Sequence, residues 1–257
     1  MSDPSPLLAL DEVTVQFSGL TAVDHVSFQV RAGEVCALIG PNGAGKTTVF
    51  NAVSGNVRIH SGAIQFDGKP IHNLPPHIIS GRGVRRTFQN GGLFAERTAL
   101  ENVLVGLHAA VPNNLFALVL GTRKSAALEL EATRRAHELL DVLEIGHLAG
   151  TLVGALPGGQ QRMVEIVRAL ATEPPLLLLD EPSVGLTPPT RTQLGVVIRR
   201  LAAERGIGIL LIEHAIELVM NVSDRVIVMN EGRKVADSTP DVVRADRAVL
   251  EAYLGHA

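Results

Sequence analysis

The sequence predicts an α/β protein with a parallel sheet at its core, an N-terminal antiparallel β subdomain and an inserted helical subdomain. Three observations lead to this prediction. A glycine-rich loop lies between an apolar strand and a helix, continuous apolar runs alternate with helical stretches or turns, and a long central segment has no strand pattern. The chain has 257 residues, 46% of them hydrophobic, so it can bury a substantial core.

Apolar residues alternate with polar ones in two stretches near the N-terminus, residues 8–17 and 26–30. Alternation is typical of half-buried antiparallel strands. Ile64 and Phe66, followed by Asp67-Gly68, predict a further strand and a turn. A small antiparallel sheet is therefore predicted, with strands before and after the glycine-rich loop.

Three later runs, Leu176–Leu179, Ile207–Ile212 and Arg225–Met229, are apolar almost throughout rather than alternating. Strands of a parallel sheet are covered on both faces, so such runs predict buried parallel strands. Together with the strand before the glycine-rich loop, they predict the α/β core.

Between about Asn90 and Ala171 the pattern becomes helical. Helices are predicted over 98–109, over 124–145 with Glu131 and Arg135 as an i,i+4 pair, and after Gly158-Gly159 up to Pro174-Pro175. Met163, Ile166, Val167 and Leu170 form one apolar stripe, interpreted as core packing, and 241–254 predicts short C-terminal helices. We therefore predict one domain over 1–257, with residues 1–89 and 172–257 forming the sheets and 90–171 the helical subdomain.

The glycine-rich loop has the pattern G-x-x-x-x-G-K-[ST] of a phosphate-binding loop. Its residues are Gly40, Pro41, Asn42, Gly43, Ala44, Gly45, Lys46, Thr47 and Thr48. The glycines allow successive backbone N–H groups to point at a phosphate, and the helix start adds partial positive charge there. Lys46 can reach the β- and γ-phosphates, and the Thr47 hydroxyl can bind Mg²⁺. The loop therefore predicts that the chain binds the β- and γ-phosphates of a nucleotide together with Mg²⁺.

Two carboxylates, Asp180 and Glu181, follow the apolar run that begins at Leu176. Ligands of open parallel sheets bind at the carboxyl ends of the strands, where these two residues are predicted to lie. Asp180 is predicted to bind Mg²⁺, and Glu181 to activate the water that attacks the γ-phosphate. Taken alone, Asp-Glu-Pro could equally be a polar strand end; the phosphate loop favours the catalytic interpretation.

Charge and composition exclude several classes of protein. A net charge of −3 and only 3% aromatic residues disfavour nucleic-acid binding. The single cysteine, Cys36, is predicted to be a buried structural thiol, and one cysteine permits no internal disulfide. The N-terminus lacks the features of a signal peptide, and the apolar runs are too short to cross a bilayer, so a cytoplasmic location is expected.

Further segments resemble those of the ATP-binding subunits of ATP-binding-cassette (ABC) transporters. They occur in the order and at the spacing typical of that family, and the resemblance covers nearly the whole chain. Leu156-Pro157-Gly158-Gly159-Gln160-Gln161-Arg162 is similar to the family signature, normally Leu-Ser-Gly-Gly-Gln. Gln89 resembles the glutamine that joins the core to the helical subdomain, His214 the switch histidine, and Phe17 the aromatic that stacks on adenine. The resemblance implies the ABC type of P-loop NTPase, with a RecA-like core.

The resemblance also implies the roles of these residues and the partners. Gln89 would contact the metal and the attacking water, and His214 the γ-phosphate. Pro157, Gly158, Gly159 and Gln160 would cover ATP bound to a second cassette, so hydrolysis would require a head-to-tail pair. The implied partners are permease subunits, a second ABC ATPase subunit and a solute-binding protein, with the chain peripheral on the cytoplasmic face of the plasma membrane.

Four segments are similar to the subunits of branched-chain amino-acid importers: residues 17–23, 101–106, 212–214 and 251–255. Because the ATP-binding chain never touches the solute, importers of urea, amides or other small solutes remain alternatives. A soluble cassette acting on nucleic acid or ribosomes is a further alternative, disfavoured by the single cassette and the acidic charge balance.

Two positions depart from the family pattern. Pro157 replaces the signature serine and so removes both a hydroxyl and a backbone N–H. Thr187 stands where many relatives carry Asp or Asn. The first departure leaves open a regulatory subunit that binds ATP but hydrolyses it weakly, and it leads us to expect a heterodimer whose second cassette has an intact signature.

Overall fold

The computed structural model describes residues 5–87, 92–110 and 123–246, with no side chains described for 108–110 and 123–127. The described residues within 1–86, 175–183 and 191–257 form one compact unit. Those within 87–174 and 184–190 form a second. None of the helices in these ranges is long and apolar enough to cross a membrane.

The first unit contains the predicted antiparallel sheet, with strand order β2-β1-β4-β5. Its strands are β1 (Leu8–Phe17), β2 (Leu20–Val30), β4 (Ser61–Phe66) and β5 (Lys69–Pro70). Leu8 lies opposite both Val30 and Phe66, so the buried faces of three strands coincide. The register shifts after Leu10, where Glu12 has φ 47°, which is why the alternation in β1 is imperfect.

The core of the first unit is a six-stranded sheet in the order β10-β9-β3-β8-β7-β6. Its strands are β3 (Val35–Ile39), β6 (Val84–Arg86), β7 (Leu176–Asp180), β8 (Gly208–Ile212), β9 (Arg225–Asn230) and β10 (Arg233–Ser238). Neighbouring strands are parallel except for β10, which is antiparallel to β9. Every residue of β3, β7 and β8 is buried, which explains the continuous apolar runs. The edge strand β6 has only three residues and was not predicted.

Five helices begin in or cross into the first unit: α1 (Lys46–Val53), α2 (Pro76–Gly81), α6 (Pro188–Arg205), α7 (Ile216–Val222) and α8 (Pro240–Ala245). Val219 and Val243 pack with Ala37 and Ile39 in one hydrophobic cluster, so α7 and α8 cover the same part of the core. Cys36 is fully buried, and this burial raises the pKa of its thiol. Of the short helices predicted over 241–254, the structure describes α8, and residues 247–254 lie outside the described residues.

The second unit contains α3 (Ala99–Ala110), α4 (Arg123–Val142) and α5 (Gly158–Leu170), with short 3₁₀ turns at Gly146–Leu148 and Val153–Ala155. Thr98 and Glu101 form a capping box before α3: each accepts a hydrogen bond from the other's backbone N–H. The predicted apolar stripe of α5 is buried. Glu131 and Arg135 lie four residues apart on α4, as predicted, but the direct salt bridges are those of Glu131 with Arg134 and of Arg135 with Glu173.

The second unit also includes Val184–Thr190, a segment that the sequence analysis placed in the core. The packing of Leu186 explains why this segment belongs to the second unit rather than to the core. It is buried, and its Cδ2 would lie 2.7 Å from a Cβ atom built on Gly159 at the start of α5. The segment therefore packs on α5.

Candidate functional site: a nucleotide site at the edge of the core sheet

The predicted phosphate loop connects the end of β3 to the start of α1. Two of its glycines are required by geometry. Gly40 has φ 151°, and a Cβ atom there would collide with the carbonyl oxygen of Met229 on β9. Gly45 has φ 97°, and its Cβ would lie 2.5 Å from the carbonyl oxygen of Ala22. The loop therefore lies tightly against neighbouring strands, in a conformation that other residues would strain.

Lys46, the first residue of α1, is only 6% exposed. Its ammonium donates to the carbonyl oxygens of Gly40, at 2.7 Å, and Pro41, at 2.9 Å. Burial lowers the pKa of Lys46, and the negative charges of Glu181 and Asp180 partly oppose that shift. The structure thus brings the lysine inside the loop and within the electrostatic influence of both carboxylates.

Asp180, the last residue of β7, is 1% exposed and pairs with Arg86 on β6, whose Nη2 lies 2.7 Å from its Oδ2. Nη1 of Arg86 also donates to Oδ1 of Asn51 on α1, at 2.7 Å. The guanidinium carbon Cζ lies over the Phe50 ring, 5.6 Å from the ring centroid. Arg86 therefore links the predicted metal ligand to the helix that follows the phosphate loop. No role was predicted for Arg86 from the sequence, although it lies only three residues before Gln89.

Glu181 and His214 meet although they are 33 residues apart. Oε1 of Glu181 lies 3.0 Å from Nε2 of His214, which donates the hydrogen bond because the carboxylate can only accept. The Glu181 N–H donates to the carbonyl oxygen of Ile212, at 2.9 Å, where β7 and β8 lie side by side. Glu181 has φ 48°, an uncommon backbone conformation for a residue other than glycine.

Glu213 is a third carboxylate at this edge, and the sequence analysis gave it no role. It is 2% exposed. Its Oε1 accepts from the N–H of Ser183, at 2.7 Å, and its Oε2 accepts from the N–H groups of His214, at 2.9 Å, and Ala215, at 3.1 Å. A charged residue directly after the buried run of β8 is the sequence feature that could have identified it.

The other predicted residues of the first unit are placed as follows. Phe17 ends β1 beside the two-residue turn Ser18-Gly19, and its side chain is 46% exposed. Thr47 is exposed and Thr48 half-buried in the first turn of α1. Asn42 and Gly43 are exposed at the crest of the loop, whereas Ala44 is buried. Gln89 lies outside the described residues.

The signature-like residues belong to the second unit. Pro157 is the N-cap of α5 and makes no side-chain capping hydrogen bond, while its carbonyl oxygen accepts from Gln160 N, at 2.9 Å, and Gln161 N, at 3.1 Å. Gly158 is exposed, and Gly159 and Gln160 are half-exposed. The glycines thus begin a helix with accessible backbone, which is the geometry that binds anions. The functional roles of all these residues remain predictions.

Comparison with known proteins identifies the family. Residues 23–184 match the model of the ABC transporter family, and residues 233–257 match that of the branched-chain amino acid ATP-binding cassette transporter. The chain is 42% identical to the high-affinity branched-chain amino acid transport ATP-binding protein BraF of Pseudomonas aeruginosa, over 98% of the chain and 99% of the relative. It is 40% identical to LivG of Escherichia coli K12, of the same description and with the same coverage.

A solved structure agrees with these sequence matches. The chain matches the ADP conformation of an ATP-binding cassette from an ABC transporter with a TM-score of 0.84 and 32% identity, over 98% of this chain and all of that one. The chain therefore belongs to the ABC transporter family. It is an ATP-binding subunit, it has the ABC-type P-loop fold, and it is an ATPase that is coupled to transport. The predicted family, fold class and enzyme class are therefore confirmed.

Proposed function

We propose that the chain powers an importer of branched-chain or other hydrophobic amino acids by binding and hydrolysing ATP at the edge of its core sheet. The proposed hydrolysis rests on one observation above all: Glu181 and His214 are in hydrogen-bonding contact at the sheet edge where the charges of Glu181 and Asp180 also act on Lys46. The proposed solute rests on the relatives and on the match of residues 233–257.

In this proposal the chain's own groups perform the steps of hydrolysis. Lys46 turns its ammonium from the loop carbonyls to the β- and γ-phosphates, while loop N–H groups bind the same oxygens. Glu181 orients the attacking water and accepts its proton. His214, already bonded to Glu181, holds the γ-phosphate, and Phe17 offers an exposed ring to the adenine.

The donors at the site fit Mg²⁺. No group of three or more His, Cys, Asp or Glu side chains that could hold a metal occurs in the described ranges. Mg²⁺ does not need one, because it takes one or two protein oxygens and fills its remaining positions with phosphate and water. Asp180, at the end of β7, and Thr47, in the first turn of α1, would supply those oxygens, with Gln89 as a further proposed ligand. Bound Mg²⁺ would neutralise charge that develops on the phosphates.

The proposed partners are permease subunits, a solute-binding protein and a second ATPase subunit. The glycines at the start of α5 would cover the nucleotide of that second subunit. The chain would then act on the cytoplasmic face of the membrane, through its contacts with the permeases.

The solute is tested by transport. We expect the chain, reconstituted with its proposed permease subunits and solute-binding protein, to drive ATP-dependent uptake of leucine, isoleucine or valine into vesicles, with urea and acetamide as competing solutes. Uptake by vesicles that contain the Glu181→Gln complex gives the leakage that does not depend on ATP hydrolysis. Uptake of urea or acetamide in preference to all three amino acids would replace the proposed solute.

Pro157→Ser tests the departure from the signature. Serine restores a hydroxyl and a backbone N–H at the N-cap of α5, where proline caps nothing. We expect serine to speed hydrolysis at the partner's site several-fold, because the restored hydroxyl can contribute up to about 1–3 kcal/mol of transition-state stabilisation. The rate is measured in a complex whose site on this chain is silenced by Glu181→Gln.

The matched control is Pro157→Ala, which restores the N–H but not the hydroxyl. If serine and alanine leave the rate unchanged, the accessible amides of Gly158 and Gly159 suffice and the proline is neutral. If wild-type chain has no ATPase activity at its own site even beside an intact signature, the regulatory alternative replaces the proposed function.

A further inference from the structure

The geometry at the sheet edge points to Glu213 as a positioning residue that holds Glu181 and His214 at hydrogen-bonding distance. This inference rests on the function proposed for those two residues. Glu213 is buried, and both of its carboxylate oxygens accept backbone N–H groups. Its charge is thus directed at the main chain rather than at a substrate, so we assign it no catalytic role of its own.

Glu213 joins the two segments that carry the proposed catalytic pair. Ser183, which binds Oε1, lies two residues after Glu181. His214 and Ala215, which bind Oε2, form the start of the segment after β8. One side chain therefore fixes the backbone on both sides of the contact between Glu181 and His214.

The position of Glu213 explains why such a link is needed. The β7–β8 ladder ends at the pair Asp180 and Ile212, and the Glu181 N–H makes a further bond to Ile212. Beyond that point the two segments leave the sheet, so the Glu213 carboxylate continues the connection that the ladder no longer supplies. Reacting groups displaced by about 1 Å can lose about a hundredfold in rate, so this connection matters for catalysis.

Glu213→Gln tests the link with little change in shape. Glutamine has one acceptor oxygen and one NH₂ group, and the NH₂ would face a backbone N–H, so only one of the two segments can stay bound. We expect kcat for ATP hydrolysis by the assembled complex to fall about tenfold to a hundredfold, with KM for ATP changed less than about twofold. Glu217→Gln makes the same chemical change on the exposed face of α7 and should have no effect.

A double-mutant cycle separates positioning from a general structural effect. If Glu213 acts through the pair, Glu213→Gln should cost less than about threefold in a His214→Ala background. An unchanged kcat in the single variant, or the full loss in the His214→Ala background, would overturn the inference. Glu181→Gln is measured in parallel: if that variant is fully active, the proposed function fails rather than the role of Glu213.

Amide hydrogen exchange gives a readout that does not depend on turnover. In the isolated full-length chain, peptides covering 181–187 and 212–217 should exchange faster in Glu213→Gln than in wild type or in Glu217→Gln. Unchanged exchange in both segments would show that Glu213 does not hold them. Should Glu213→Gln not fold, Glu213→Asp keeps the charge but is one methylene too short to reach both segments, and the same losses are expected from it.

Discussion

Replacing Glu181 with glutamine is expected to lower ATP hydrolysis at this chain's site by about a hundredfold or more, the usual contribution of a positioned general base. Glutamine has the same shape and can still meet His214, but it lacks the negative charge that attracts a proton from water. ATP binding should stay within about threefold of wild type, because Lys46 and the loop amides are unchanged. Single-turnover hydrolysis by the assembled complex and equilibrium binding of labelled ATP measure the two effects separately.

The control for this substitution is Glu217→Gln, which removes one negative charge from an exposed position on α7. It should hydrolyse ATP at the wild-type rate, so a loss in Glu181→Gln cannot come from the change in net charge. A second expected consequence is that ATP traps Glu181→Gln in a closed pair of cassettes. The variant should then sediment faster with ATP than without it. Hydrolysis by Glu181→Gln at the wild-type rate would show that another group activates the water.

The core strands could be predicted because burial on both faces leaves a direct record in the sequence. β7 and β8 contain hardly any polar side chains, because a central parallel strand is covered on both faces and here has five buried positions in succession. The short strand β6 was missed because Val84, Arg85 and Arg86 have no such pattern. β6 forms because it pairs with Leu176–Leu178 of β7, a contact between residues about ninety positions apart.

The same distinction applies to the site. The phosphate loop and the acidic pair are each local in sequence, so the spacing of the loop and the apolar run before the pair were enough to predict which residues lie at this edge of the sheet. Arg86 and Glu213 were missed because their roles depend on partners that no local pattern shows: Asp180 for the first, and the N–H of Ser183 for the second. Every residue except proline has a backbone N–H, so the sequence does not indicate which amides a buried carboxylate will bind.

Replacing Lys46 with alanine is expected to weaken ATP binding ten- to a hundredfold, because a charge-assisted hydrogen bond contributes about 1.5–3 kcal/mol. The substitution removes the only side-chain cation within the loop segment 40–48, and its ammonium already lies against the Gly40 and Pro41 carbonyl oxygens. Equilibrium titration of the isolated chain with labelled ATP measures the loss. Lys69→Ala, which removes an exposed lysine from β5, is the matched control.

The fold should survive Lys46→Ala, and the pKa of Lys46 gives the reason. Burial lowers that pKa, so folding disfavours the ammonium relative to the unfolded chain. This cost to stability is fully present below the folded pKa and disappears as the pH rises through the folded and then the unfolded pKa. Alanine removes the cost together with the two hydrogen bonds, so the two effects on stability oppose each other. If ATP affinity falls while the thermal midpoint is unchanged, the lost energy is that of the phosphate contact, whereas unchanged affinity in the folded variant would show that Lys46 does not bind the nucleotide.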